Sequence, residues 1–335
     1  MLKYLARNIV APTLYASGFD RVISHFSRKK GLIIIYHGII PHDNLKYNSR
    51  QLLLGDFKKQ IEYLSKHFRI ISLTEMFHRY RSGIEGGERC LSITFDDGYE
   101  NNYKYAYPTL RDLQIPSTFF VCTQLFDENR ILWNDIIDVY IQHIGEELAY
   151  EGFKFVRTGP KTMIDTSRKI DLRQFVRSLD PEAHQAFIEH VKAAHGIASV
   201  LAKIDTDFWR LMSSEQVREI AEHELMEVGS HTHSHYELSK VHPDAAREEL
   251  TKSKETLEAQ IQQEVKAIAF PYGSYSVALK EHCLSQGYEN LCAVDYQFKE
   301  DELDPSILPR FGISATTNLY SNMVNLHLNL HKVGL

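Results

Sequence analysis

The chain has 335 residues, 43% of them hydrophobic, a composition that excludes a disordered protein and fits a folded globular one. Its 38 basic and 44 acidic side chains are interspersed and leave a formal charge of −6, so the basic footprint of a nucleic-acid binder is missing. Four scattered cysteines, none in a C-x-x-C pair, exclude a disulfide framework and read as core thiols.

Residues 1–30 alternate apolar and basic side chains and end in Arg28, Lys29 and Lys30, which predicts an N-terminal helical segment able to lie on an anionic membrane surface. Arg7 and Pro12 interrupt the apolar stretch that a secretory leader needs, and no run of 18 apolar residues exists to span a bilayer. The expected location is the cytoplasm, with peripheral membrane contact through residues 1–30. A β-branched apolar run at 32–36, between Gly31 and Gly38, reads as a strand buried on both faces. Apolar residues at 57, 61, 64 and 68 have helical spacing, and 69–73 is again a strand. The alternation continues with a helix at 75–81, a strand at 90–95, a helix at 103–113 and a strand at 117–122. Residues 127–207 then break the rhythm with charged, mainly helical sequence, expected as an insertion over the active-site face. Beyond it come helices at 214–223, 243–261 and 277–286, strands at 226–228, 266–270 and 291–294, and a last strand near 307–313. Residues 319–335 look like a terminal amphipathic helix. The organisation expected is therefore a sheet domain of residues 31–126 and 208–318, interrupted by the insertion.

Strand and helix alternating seven or more times imply an α/β fold with a parallel sheet, either open and doubly wound or closed into a (β/α) barrel. In both, catalytic groups belong where strands end and helices begin. Three clusters fall there. Thr94-Phe95-Asp96-Asp97-Gly98 delivers two adjacent carboxylates at a strand end, and because neighbouring side chains on a strand point to opposite faces, the two are expected to do different jobs. Gly229-Ser230-His231-Thr232-His233-Ser234-His235 holds three histidines just past another strand. If this segment turns into a helix, the geometry favoured by the Gly-Ser pair, His231 and His235 lie four apart on one face and His233 points away; if it stays extended, all three share a face. Imidazole plus carboxylate with open positions suits a divalent first-row cation, zinc most readily. In Phe270-Pro271-Tyr272-Gly273, the proline lacks an N–H and fixes its own φ, so the N–H of Tyr272 can point into a pocket and hold an oxyanion.

In this order, T-F-D-D-G at 94–98, H-T-x-S-H at 231–235 and F-P-Y-G at 270–273 resemble the polysaccharide deacetylase family, also called the NodB-homology or carbohydrate esterase 4 family. The resemblance implies a distorted (β/α)7 barrel that removes acetyl groups from acetylated sugars with a divalent metal. It implies Asp97, His231 and His235 as metal ligands and Asp96 as the general base. Two departures stand out. Many members carry an arginine two residues before the motif proline, where this chain has Ala269; Arg310 can supply a guanidinium from elsewhere. The family's C-terminal leucine–histidine motif, which provides the general acid, has no clear counterpart, since His327 and His331 fall in the terminal helix. In a closed barrel, however, a strand added at the N-terminal side can lie beside the first catalytic strand, and it would bring in His37 from Tyr36-His37-Gly38. That arrangement resembles the poly-N-acetylglucosamine deacetylases of the exopolysaccharide branch, and His37 is the expected general acid.

The function expected is deacetylation of an N-acetylated sugar in a polysaccharide or lipid-linked precursor, as in surface-polysaccharide synthesis. Trp133, Tyr140 and Tyr150 of the insertion are candidates for stacking on sugar rings. Two other readings compete. A cyclic amidohydrolase would use His231 and His233 as an H-x-H metal pair, and an inactive glycan-binding or scaffold protein is motivated by Ala269.

Overall fold

The computed structural model describes residues 9–18, 31–42, 50–83, 88–125 and 131–333, with side chains described as far as residue 328. Within it the short apolar runs pair side by side, since a strand of β-branched residues can bury both faces only inside a layered fold. The parallel sheet runs in the spatial order Ile307–Pro309, Asn290–Ala293, Ala267–Ala269, Met226–Ser230, Ser117–Val121, Cys90–Phe95, Gly31–Tyr36 and Phe311–Gly312. Arg69–Ile70 pairs alongside the start of Cys90–Phe95. The two ends of this path are consecutive in the chain, separated by Arg310 alone, so the sheet curls round on itself. The last strand expected near 307–313 is thus split, one half on each side of the seam. Counted once, it leaves the seven strands of the expected barrel.

Period-two alternation sorts the side chains. Leu32, Ile34, Tyr36, Leu91, Ile93, Phe95, Phe119 and Val121 face the helices and share one core with Phe57, Ile61, Leu64 and Leu250. Ile33, Cys90, Phe120, Ala267, Ala269, Cys292 and Leu308 face the barrel interior. Each large apolar side chain so buried contributes about 1.5–3 kcal/mol. The helices Leu54–His67 and Pro243–Ile261 bury one stripe each, and the second was expected with the same ends. Leu319–Val333 is helical, and its His327 is buried against Phe68 and within 2.9 Å of the Tyr63 hydroxyl. His331 lies outside the described side chains.

The insertion holds the helices Trp133–His143, Leu172–Arg177, Pro181–Ala194 and Ile197–Leu201 around a core of its own. It also carries a four-stranded antiparallel sheet formed by Glu147–Tyr150, Phe153–Gly159, Thr162–Asp165 and Ile170–Asp171, which the expectation of a mainly helical insertion left out. The first two of these strands turn at Glu151-Gly152, both with positive φ, and the strands are only partly buried, so their apolar signal is weak. Tyr140 and Tyr150 pack inside the insertion, Tyr140 donating to the Glu147 carbonyl and Tyr150 standing edge-on to Phe187. Neither is a sugar platform. Of residues 1–30 only 9–18 are described, with a helix at Ala11–Ser17, and the membrane contact expected there lies largely outside the described residues. Among the described residues no helix is long and apolar enough to cross a membrane.

Candidate active site

Asp96 follows Cys90–Phe95 and takes the interior side of the alternation, its N–H donating to the Tyr36 carbonyl at 2.9 Å. Asp97 and Gly98 then both have positive φ, 74° and 79°, and this turn separates the two carboxylates. Glycine is required at 98, where a Cβ would also crowd Val121 at 3.2 Å.

The histidine segment is not helical, which corrects the favoured geometry. His231 prolongs its strand by donating its N–H to the Val121 carbonyl at 2.8 Å. The backbone then passes through positive φ at Thr232 (66°) and His235 (60°). Side chains satisfy the freed N–H groups: Thr232 donates to Ser230 Oγ at 3.1 Å, Ser234 to Glu249 Oε2 at 2.6 Å, and His235 to Thr232 Oγ1 at 3.1 Å. Glu249 and Ser253, which contacts Ser230 Oγ at 2.7 Å, come from the helix Pro243–Ile261 and clamp this loop. His231 and His235 still converge, and His233 still points away, toward Thr123 Oγ1 at 2.8 Å. An H-x-H metal pair of His231 and His233 is therefore not formed.

Asp97, His231 and His235 are all buried, and each offers one ligand atom within 4.8 Å of the others. Asp97 Oδ1 lies 3.5 Å from His231 Nε2 and 3.2 Å from His235 Nε2. His231 Nδ1–H donates to the Ala269 carbonyl at 2.8 Å, which fixes the tautomer and leaves the Nε2 lone pair free. Burial pushes the His235 imidazole down, which favours its neutral form. Asp97 Oδ2 is buried without a hydrogen-bond partner among the described residues. A carboxylate with an orphaned oxygen and two converging imidazoles fit a divalent cation.

Arg310 is fully buried and enters from the seam. Its guanidinium forks onto Asp96, Nη1 to Oδ1 at 2.7 Å and Nη2 to Oδ2 at 2.8 Å, while Nη1 also donates to Thr94 Oγ1 at 3.0 Å. It lies 5.1 Å from the Phe120 ring, in the interior layer where Ala269 and Cys292 leave room. Burial, the largest single influence, would raise the Asp96 carboxyl, but the charge and hydrogen bonds of Arg310, together with the neighbouring His231 and His37, outweigh it and hold the group below its usual value. A guanidinium thus reaches Asp96 despite Ala269.

Asp96, Asp97, His231 and His235 line one cavity of about 270 Å³ together with His37, Ile35, Phe270, Tyr272 and Val294. His37 is half-buried at the end of Gly31–Tyr36, beside the strand of the aspartates. Burial lowers its imidazole and the carboxylates of Asp97 and Asp96 pull it back up. Tyr272 has a φ of 59°, and its ring stands edge-on to His235 at 5.2 Å. Positive φ at Asp97, His235 and Tyr272 concentrates backbone strain around the cavity, as functional sites do.

The far wall is built from the insertion's Trp133, which the sequence singled out, and from Asn134, Arg173, Arg177 and Arg50, which sequence reasoning missed. Trp133 Nε1–H donates to the His235 carbonyl at 3.1 Å and ties the insertion to the histidine loop. Arg50 lies 3.7 Å from Asp97 Oδ2, 2.5 Å from Asp135 Oδ1 and 3.6 Å from Asp138 Oδ2. Burial pushes Asp135 up to about 7 against the pull of Arg50, and the Tyr99 hydroxyl donates to it at 2.8 Å. Two carboxylates three residues apart in the mainly apolar helix Trp133–His143, both buried in the fold, were the available signal.

The sequence profile described as polysaccharide deacetylase matches residues 83–163 and 172–291. The chain belongs to the polysaccharide deacetylase family. YxkH of Bacillus subtilis (strain 168), a protein named for the same family, is 19% identical over 258 residues; these are 77% of this chain but only 62% of that protein. The deacetylase PplD of Streptococcus pyogenes, solved in complex with acetate, superposes with a TM-score of 0.56 at 17% identity, covering 88% of this chain and 97% of its own. IcaB from Ammonifex degensii gives 0.54 at 17% identity, covering 89% and 97%. At these identities the likenesses establish the fold.

Proposed function

We propose that this deacetylase-family chain is a hydrolase that removes the acetyl group from an N-acetylated sugar, using a divalent cation, with zinc as the leading candidate. The observation that carries the reading is the convergence, in one buried cavity, of Asp97, His231 and His235 with an Arg310-paired Asp96. A cation held by those three residues would polarise the acetyl carbonyl and acidify a water molecule. Asp96, kept ionised by Arg310, accepts the proton from the attacking water. The N–H of Tyr272 donates to the oxyanion that develops on the carbonyl oxygen. His37 delivers a proton to the departing amine, without which the sugar nitrogen is a poor leaving group. An amide substrate is favoured because enzymes of this family mostly cleave acetamido groups, and polysaccharide or lipid-linked precursors are the proposed carriers. A cytoplasmic site of action with peripheral membrane contact through residues 1–30 completes the reading.

The test is acetate release, with bound metal measured in parallel, from a panel of free and lipid-linked N-acetylated and O-acetylated glycans. Folded protein that retains zinc and frees no acetate from any of them would overturn the proposal in favour of an inactive glycan binder.

A further inference from the structure

The cavity floor is made by barrel residues, Asp96, Asp97, His231 and His235 among them, which the proposed chemistry already uses, and recognition of the sugar ring falls to the wall that the insertion supplies. Three polar residues of the insertion line that wall: Asn134, Arg173 and Arg177. They differ in how fully they are engaged. Arg173 is saturated, its Nε donating to Asp138 Oδ1 at 2.8 Å and Nη1 to the Lys161 carbonyl at 2.9 Å, so it braces the wall.

Asn134 is the opposite case. It is only 7% exposed, yet its Oδ1 is buried with no hydrogen-bond partner among the described residues. Leaving such an oxygen unpaired costs about 1–3 kcal/mol, a cost relieved by a ligand that donates to it. Arg177 is also under-used. Its Nε is buried without a partner among the described residues, and its nearest carboxylate, Glu237, stands 3.7 Å away. Its guanidinium is held 5.2 Å from the centre of the Tyr272 ring, so its position is fixed while its donors stay available.

We propose that Asn134 and Arg177 are specificity-determining residues that hold the hydroxyl groups of the acetylated sugar ring, Asn134 accepting a hydrogen bond and Arg177 donating one. This rests on the deacetylase reading above. Hydroxyls are the matching chemistry, because each supplies a donor and an acceptor at once. A carboxylate or phosphate would meet Glu237 beside Arg177 and Asp138 beside Arg50 and Arg173, so acidic side chains offset much of the positive charge that an anion would need. The cavity, at about 270 Å³, lies near the lower end of the ligand-pocket range of about 300–1,000 Å³ and suits one ring with the rest of the glycan outside. The insertion, on this account, sets which sugar is accepted, and the barrel sets what is done to it.

The experiment compares the wild type, Asn134→Leu and Arg177→Met on an N-acetylglucosamine oligosaccharide and on 4-nitrophenyl acetate, an acetyl ester without hydroxyls. Each substitution is expected to lower kcat/KM for the oligosaccharide chiefly through KM, and to lower the ratio of oligosaccharide to ester activity about tenfold or more. Ester turnover by the variants also reports that they fold. Oligosaccharide activity in the wild type, with both ratios within about twofold of it, would overturn this inference alone. A wild type that frees acetate from neither compound would overturn the deacetylase reading and this inference with it.

Discussion

Arg310 and Asp96 are 214 positions apart in the chain, yet the guanidinium of one grips both oxygens of the other at 2.7 and 2.8 Å inside the barrel. The pair exists because Arg310 sits at the seam where the final strand changes partners, its N–H still donating to the Val294 carbonyl at 3.3 Å, and shares the interior side of the alternation with Leu308. Arg310→Lys keeps the charge and loses the two-pronged geometry, so turnover is expected to fall about 10–100-fold with metal content unchanged. Arg310→Met removes one partner of a buried ion pair and is expected to cost about 3–5 kcal/mol in urea unfolding at pH 7. The folded-state pKa of Asp96 is depressed, so the stabilisation is present above the unfolded value of about 3.9 and is lost as pH falls through the folded one. The gap between wild type and Arg310→Met should therefore narrow in acid. A gap that widens there would contradict the pairing.

Asp96→Asn is nearly isosteric and cannot accept a proton at neutral pH. Acetate release should drop by about 10³-fold or more while the protein binds zinc with the same stoichiometry. Retained activity would remove Asp96 as the base. Its neighbour Asp97 predicts the reverse ordering: Asp97→Asn should lose metal first and activity as a consequence.

Much of this site could be read from the sequence because strand ends were legible. The apolar runs at 90–95 and 226–228 stop just before the aspartates and the histidines, so those residues could be assigned to strand ends from the sequence alone. The conformation of 231–235 was not legible in that way. A helix and a turn through two positive-φ residues both bring His231 and His235 together, and only the clamps from Ser230, Thr232 and Glu249 decide between them. Arg50 was invisible for a different reason. Its partners Asp135 and Asp138 belong to another structural unit, and nothing local to residue 50 marks it. The sheet at 147–171 hid because half-exposed strands carry half the apolar signal of buried ones.

His235→Ala should abolish tight metal binding, measured as zinc retained after dialysis, because a two-ligand remnant of Asp97 and His231 cannot hold the ion. Glu249→Ala gives a graded version of the same effect. It leaves every ligand in place but frees the Ser234 N–H that Glu249 accepts at 2.6 Å, so metal affinity should weaken by about 10–100-fold without being lost. Zinc affinity equal to the wild type in Glu249→Ala would mean that the loop holds its shape unaided.

His37 is the residue on which sequence topology and cavity geometry can be set against each other most directly. It reaches the cavity only because Gly31–Tyr36 pairs along the whole length of Cys90–Phe95, in parallel and in register. Its imidazole is lowered by burial and raised by Asp97 and Asp96, so its affinity for a proton depends on two neighbours that the reaction itself involves. His37→Gln preserves much of the side-chain volume and hydrogen-bonding capacity but cannot protonate an amine. For an N-acetylated sugar, whose leaving group requires a proton, kcat should fall about 10²–10⁴-fold with metal content intact. For an activated aryl acetate, whose phenolate leaves unaided, the loss should be far smaller. Equal losses on the two substrates would show that His37 supports the cavity without delivering a proton, and the general acid would then have to be sought elsewhere on the cavity wall.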